Sequence, residues 1–227
     1  MWAIVVAGGT GSRFGRPKQF LPLAGVPVVA RSVCGARSVS DGVVLVVPAG
    51  DPTPPDPALD LPRPGDTGAA AFGASCVVAG GATRAASVRA GLAAVPDGAA
   101  IIVVHDAARP LADPVLFAAV VEAVRAGGVD GAVPVVPVAD TIKRVAGDRV
   151  VATLDRADLV AVQTPQAFAA DTLRRAHRDG GEATDDAGLL EAAGLVVGTV
   201  PGDLRNLKLT RPEDLSLAEA LVRGGTR

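Results

Sequence analysis

Cysteine, histidine and lysine are all scarce in this chain, and each shortage excludes something. Two cysteines among 227 residues, Cys34 and Cys76, cannot build a disulfide framework, and their isolation gives no metal-ligand spacing. Each is expected to be a small buried hydrophobe. The two histidines, His105 and His177, complete neither a metal site with those cysteines nor a Ser-His-Asp set. No apolar run is long enough to span a bilayer, and the N-terminus lacks the basic-then-apolar pattern of a secretory leader. A net charge of −2 provides no broad basic surface for nucleic acid or anionic lipid. The expectation is a cytoplasmic protein that binds neither nucleic acid nor membrane. Lysine occurs only at Lys18, Lys143 and Lys208, while arginine supplies nearly all other basic residues. Two of those three lysines fall beside other candidate site residues.

What is present is an apolar, β-branched chain with 49% hydrophobic residues. The runs AIVVA, GVVLVV, SCVVA, AIIVV and GAVPVV read as buried strands of a mainly parallel sheet. Amphipathic patterns over Pro27–Val39, Thr83–Ala94 and Asp113–Ala126 read as the intervening helices. Asp113-Pro114 is a cap followed by proline in the first turn. A helix near Ala187–Ala193, a strand LVVGTV and a last helix at TRPEDLSLAEALV continue the alternation. The fold class expected is α/β: a doubly wound, mainly parallel, Rossmann-like sheet in which ligands bind at strand carboxyl ends. Two stretches break the pattern. Pro48–Ala74 is rich in Pro, Gly, Ala and Asp and reads as a long surface excursion. DTIKRVAGDRVVATLD reads as an antiparallel hairpin turning at Gly147-Asp148. Residues 1–227 are expected to form one domain, with 138–162 an inserted hairpin arm suited to dimerisation. No internal repeat is found.

The first strand runs into AGGTGSRFGRPKQF. A dinucleotide fingerprint fails because Phe14 stands at the third glycine position, and no lysine follows a glycine in P-loop register. What remains is a loop of small residues, Ala7, Gly8, Gly9 and Gly11, whose N–H groups can form an anion-binding concavity. Arg13, Arg16 and Lys18 bring positive charge to the same place, a combination suited to a polyphosphate. HDAARP places Asp106 and Arg109 at another strand end, where Arg109 can hold a phosphate through two bonds and Asp106 can accept from hydroxyls or help place Mg²⁺. GGATRAASVRAGL offers Gly81 and Ser87 to a polar ligand edge, with Arg84 close by. In ATDDAGLLEAAG, Thr184 is read as a helix N-cap with Asp185 and Asp186 in the first turn. RNLKLT is read as a strand with Asn206 and Lys208 on one face. The lack of a general base fits a phosphate monoester acting as nucleophile, since it is already ionised at neutral pH and needs positioning and cations.

These segments, with PVADTIKR, RADLVAVQTPQAF and LKLTRPEDL, occur in the order in which they occur in the 2-C-methyl-D-erythritol 4-phosphate cytidylyltransferases. The chain resembles that family over nearly its whole length. The resemblance implies CMP transfer from CTP to methylerythritol phosphate in isoprenoid precursor synthesis, with Mg²⁺ held mainly by the nucleotide phosphates. It implies catalytic roles for Arg13, Lys18 and Lys208. Ala7, Gly8, Gly9, Gly11, Gly81 and Ser87 would bind the nucleotide. Asp106, Arg109, Thr141 and Thr184 would bind the polyol phosphate, with Arg156 and Thr164 lent by the hairpin arm of a partner subunit in a homodimer. The sequence departs from the family at Ala82 and Ala86, where more polar side chains are expected beside the base. The alternative reading is a cytidylyltransferase for another polyol phosphate, such as ribitol 5-phosphate.

Overall fold

A strand covered on both faces must be apolar at every position and not only at alternate ones, and the runs noted above form the centre of one sheet on that principle. The computed structural model describes residues 1–9, 14, 17–49, 65–66, 72–178 and 181–225. In chain order the elements are β1 (Trp2–Val6), a 3-10 turn (Lys18–Phe20), β2 (Pro22–Leu23), β3 (Val26–Pro27), α1 (Val28–Arg37), β4 (Gly42–Val47), β5 (Cys76–Ala79), α2 (Arg84–Ala94), β6 (Ile101–Asp106), α3 (Pro114–Arg125), β7 (Gly131–Pro137), β8 (Lys143–Ala146), β9 (Arg149–Thr153), β10 (Val160–Val162), β11 (Gln166–Ala169), α4 (Ala170–Arg178), α5 (Asp186–Ala192), β12 (Val197–Pro201) and α6 (Glu213–Gly224).

The main sheet runs β10-β7-β11-β6-β1-β4-β5, with β12 beside β7. Pairings β6-β1, β1-β4, β4-β5 and β7-β12 are parallel. β11 lies antiparallel between β6 and β7, and β10 pairs antiparallel with β7. The pleat sorts side chains into two cores. Val43, Leu45, Val47 and Val103 face α1 and α3 in one, with Val33, Ala36 and Phe117. Val44, Val46, Ile102 and Val104 face the other helices, with Val88, Leu173 and Leu190. A third cluster, Leu23, Val28, Leu209 and Ala218, seats α6 against the β2-β3 corner. Among the described residues, no helix is long and apolar enough to cross a membrane.

The five predicted strands and the helices fall where the patterns place them. The hairpin is also present, β8 pairing with β9 around Gly147, whose φ of 60° favours glycine. Three expectations are corrected, and a fourth falls mostly outside the described residues. The hairpin ladder ends at Thr153, and Val160–Val162 returns to the main sheet, so an arm drawn to residue 162 runs into that sheet. Asn206 and Lys208 lie in no strand; Leu209 makes one backbone bond, to Ala108, and the side-chain bonds of Asn206 take it inward. Cys34 is exposed on α1 and Cys76 is only half-buried, because α1 turns Val33 and Ala36 to the core instead. Most of Pro48–Ala74 lies outside the described residues, although Gly65 and Asp66 bond Val77 on β5 and Ala74 is buried.

Candidate active site

Parallel strands aligned in register bring their following loops together. Val6 stands opposite both Val46 and Asp106. Beyond the strand ends, Ala7 N–H donates to Val46 O, Gly80 N–H to Val47 O and Ala107 N–H to Val6 O, at 2.7, 2.7 and 3.0 Å. The loops after β1, β5 and β6 thus surround a pocket of about 360 Å³, which residues of the 3-10 turn and the segment before α6 complete. Its lining includes Ala7, Gly8, Gly9, Lys18, Gly81, Ser87, Asp106 and Lys208, all anticipated from sequence. Gly11, Arg13 and Arg16 lie outside the described residues.

The walls are fixed by Gln19, which sequence reasoning passed over, and by Thr83 and Ser87. Gln19, buried in the 3-10 turn, donates to the carbonyls of Ala7 and Gly9, each at 2.8 Å. Thr83 caps α2 by accepting from Ala86 N–H. Ser87 accepts from Gly81 N–H at 3.2 Å and donates to Thr83 O at 3.0 Å, so its hydroxyl holds the Gly80-Gly81 turn in shape. A Cβ at Gly80 would stand 2.8 Å from that hydroxyl.

Asp106 is the one carboxylate on the described lining. Its Oδ2 lies 2.5 Å from Lys208 Nζ, and its Oδ1 lies 3.4 Å from Arg84 Nε. Burial alone would raise its pKa, but the two cations outweigh burial and hold the carboxyl well below the usual range. Arg84 in turn reaches Asp186, and burial of its guanidinium is outweighed by the two carboxylates, which raise its pKa.

Other expected site residues stand elsewhere. Arg109 is turned away from the lining: it donates to Asn206 O at 2.7 Å and to Val162 O at 3.4 Å. It stitches the loop after β6 to the segment before α6 and does not present a free fork to the pocket. Thr164 is not an arm residue. It lies between β10 and β11, its hydroxyl accepting from Asp106 N–H at 3.0 Å and meeting His105 Nδ1 at 3.1 Å. Thr141 and Thr184 are exposed and off the lining, as is Arg156, which donates to Ala139 O. The cap of α5 is Asp185, accepting from Gly188 N–H, and not Thr184.

His105 lies behind the lining, next to Asp106. Its ring is fully buried 4.9 Å from that of Phe117. The Arg109 carbonyl, 3.2 Å from Nε2, can only accept, so Nε2 carries the hydrogen and Nδ1 accepts from Thr164. Burial lowers the pKa from the ordinary 6.5 to about 4, against the pull of Asp106. The unfolded chain therefore binds a proton that the folded chain refuses between those values. Stability from this group is full above pH 6.5 and is lost as pH falls toward 4, by roughly 3 kcal/mol at about 1.4 kcal/mol per unit. Urea midpoints of wild type should drop over that window, and His105→Gln should flatten the drop. Parallel pH profiles for the two proteins would refute the assignment.

A family model described as IspD, 2-C-methyl-D-erythritol 4-phosphate cytidylyltransferase, matches residues 1–224. The chain belongs to this family. It is 47% identical to the 2-C-methyl-D-erythritol 4-phosphate cytidylyltransferase of Nocardia farcinica, over 97% of this chain and 93% of the relative. It is 45% identical to the bifunctional enzyme IspD/IspF of Clavibacter michiganensis, over 96% of this chain but only 53% of that protein. The crystal structure of the cytidylyltransferase from Thermus thermophilus superposes with a TM-score of 0.78 at 34% identity, covering 97% of this chain and 98% of that one. The mixed α/β sheet is thus the family's sheet.

Proposed function

We propose that the chain is a cytoplasmic cytidylyltransferase that transfers CMP from CTP to 2-C-methyl-D-erythritol 4-phosphate, with residues 1–227 acting as a single catalytic unit. The observation that carries this reading is one pocket. It gathers the small-residue loop, Gly81 and Asp106 from separate strand ends, Lys18 from the 3-10 turn and Lys208 from the segment before α6, in a chain whose residues 1–224 match the family.

In this reading an oxygen of the polyol phosphate forms a bond to the α-phosphorus of CTP. The bond from that phosphorus to the pyrophosphate oxygen breaks, and the pyrophosphate carries its electron pair away. The attacking phosphate is largely ionised at pH 7, its second pKa being about 6, so no side chain has to remove a proton. Lys18, with Arg13, grips the triphosphate and stabilises the charge that builds at the α-phosphate. The backbone of Ala7, Gly8, Gly9, Gly11 and Gly81, with Ser87 behind it, packs on the nucleoside. Lys208 exchanges Asp106 for the acceptor phosphate, and Asp106 then accepts from polyol hydroxyls. Thr141, Thr184 and Arg109 would reach the acceptor only after rearrangement of their segments. Among the described residues no group of three or more His, Cys, Asp or Glu could cage a metal. A lone lining carboxylate fits Mg²⁺ that arrives on phosphate oxygens and keeps its waters. Asp106 would be its protein ligand, and the ion would screen and orient the triphosphate.

The hairpin arm supports a homodimer. Val145, Val150 and Val151 are 60, 62 and 56% exposed on β8 and β9, and Val160 and Val162 on β10 are exposed as well. Arg156, in the segment between β9 and β10, would enter the partner's pocket. Arg156→Ala should impair acceptor use as a homodimer, and mixing it with a pocket-dead Lys18→Ala chain should restore part of the activity. Absence of any rescue would remove the shared site.

Pyrophosphate release with Mg²⁺ and CTP tests the reaction, comparing methylerythritol 4-phosphate, ribitol 5-phosphate and no acceptor. Release with only the first is expected. Release with only the second would keep the nucleotide half and replace the acceptor, and release with neither would end the proposal.

A further inference from the structure

Behind the pocket lies a carboxylate that touches no substrate surface. Asp186 opens α5 and is fully buried. Its Oδ1 lies 2.9 Å from Nε2 of His177, itself buried in the last turn of α4. Its Oδ2 lies 2.8 Å from Arg84 Nη1. Removing a carboxylate from water costs several kcal/mol, and a well-packed apolar residue is often no worse for stability. Asp186 is therefore a poor choice for merely joining α4 to α5.

Its effect on Arg84 is specific. A guanidinium can bond one carboxylate through two parallel N–H groups. Arg84 does not do this with Asp106. Its Nη1 lies 2.8 Å from Asp186 Oδ2 as a charge contact without a directed hydrogen bond, and it reaches Asp106 with Nε alone, at 3.4 Å, while Lys208 stands at 2.5 Å from the other Asp106 oxygen. The charges alternate from Asp186 to Arg84 to Asp106 to Lys208, ending at the lining of the pocket.

We propose that Asp186, backed by His177, is a positioning residue that holds Arg84 away from full pairing with Asp106 and so leaves Asp106 and Lys208 able to change partners when the acceptor phosphate enters. This rests on the reading of the pocket given above. Without Asp186, Arg84 closes on Asp106 as a fork, and the acceptor must break that pair to bind.

Asp186→Asn keeps the shape and can still accept from His177 while removing the charge that draws Arg84. It should lower kcat/KM for the polyol phosphate at least tenfold, with KM for CTP within about twofold. On an Arg84→Ala background the same change should have almost no further effect, because residues acting through one another are not additive. Equal losses for both substrates, or the same factor on both backgrounds, would overturn the proposal in favour of a packing role. If Asp186→Asn does not fold, Arg84→Lys reads the same point. Lysine keeps the charge but lacks the planar fork whose separate arms meet Asp186 and Asp106, and the acceptor-selective loss should recur; unchanged acceptor kinetics would overturn the proposal. Wild-type turnover tests the underlying reading separately. Independently of turnover, the Arg84 Nε–H resonance of ¹⁵N-arginine-labelled protein should move between wild type and Asp186→Asn, and an unmoved resonance would refute the inference.

Discussion

Lys18→Ala should lower kcat roughly 30- to 1000-fold while raising KM for CTP only a few-fold. Loss of one preorganised charge contact to a transition state costs about 2–4 kcal/mol, and each 1.4 kcal/mol is a factor of ten. The local structure makes such a contact rigid. Lys18 opens a single 3-10 turn whose next two residues, Gln19 and Phe20, are 3% and 0% exposed. Gln19 is bonded to two carbonyls of the opposite loop. The lysine main chain is thus tethered by the anchored residues that follow it, and its side chain starts from a fixed point on the pocket lining. Pyrophosphate release at saturating CTP measures the effect. Turnover within threefold of wild type would place the charge stabilisation elsewhere.

The second large effect is expected at Asp106→Asn. The substitution removes the negative charge between Lys208 and Arg84 and leaves two cations facing a neutral amide. Breaking a buried pair costs about 3–5 kcal/mol, and the lower end applies because Lys208 is 42% exposed and screened by water. About 3 kcal/mol should lower Tm by roughly 6–12 °C in a chain of this size. Acceptor use should fall with it, since the amide offers hydroxyls one acceptor oxygen in place of two. Calorimetric melting at pH 7 and acceptor kinetics below the melting range separate the two losses. A variant that keeps wild-type Tm would show that Lys208 and Arg84 are balanced by other groups.

The sheet was legible because its central strands are unbroken apolar runs, a pattern that tertiary packing has no reason to override. Helix starts at Thr83 and Asp113 were legible because the cap precedes the apolar period in each. Thr184 and Asp185 show the limit. Either can cap α5, and the choice falls to Asp185, whose other oxygen is held by Gln166 at 2.8 Å, a contact no local pattern contains. Asn206 to Lys208 alternates like a strand, yet Asn206 is drawn inward by the Thr164 carbonyl and Gln163. The pocket residues from Ala7 to Lys208 were readable because chemistry at strand ends is a topological rule. The placing of Arg109 off the pocket lining and of Thr164 outside the arm was not legible because their partners, Asn206 and His105, are distant in sequence. Asp186 was legible only as a first-turn acid, since its partner Arg84 is likewise distant in sequence.

The alignment of Val6 with Asp106 across neighbouring strands has an engineering consequence. In the proposed reading nucleotide and acceptor fall to different loops, and the spacing between those loops is set by backbone rungs about 4.8 Å apart, which belong to neither. The scaffold is therefore modular. The turn from Ala107 to Ala112 is tied to β1 through Ala107, to α1 through Ser32 and to the segment before α6 through Ala108 and Arg109, and an equal-length graft that keeps those ties should redirect the choice of polyol while the CTP end keeps its geometry. An insertion within β1 or β6 would instead displace both ends together.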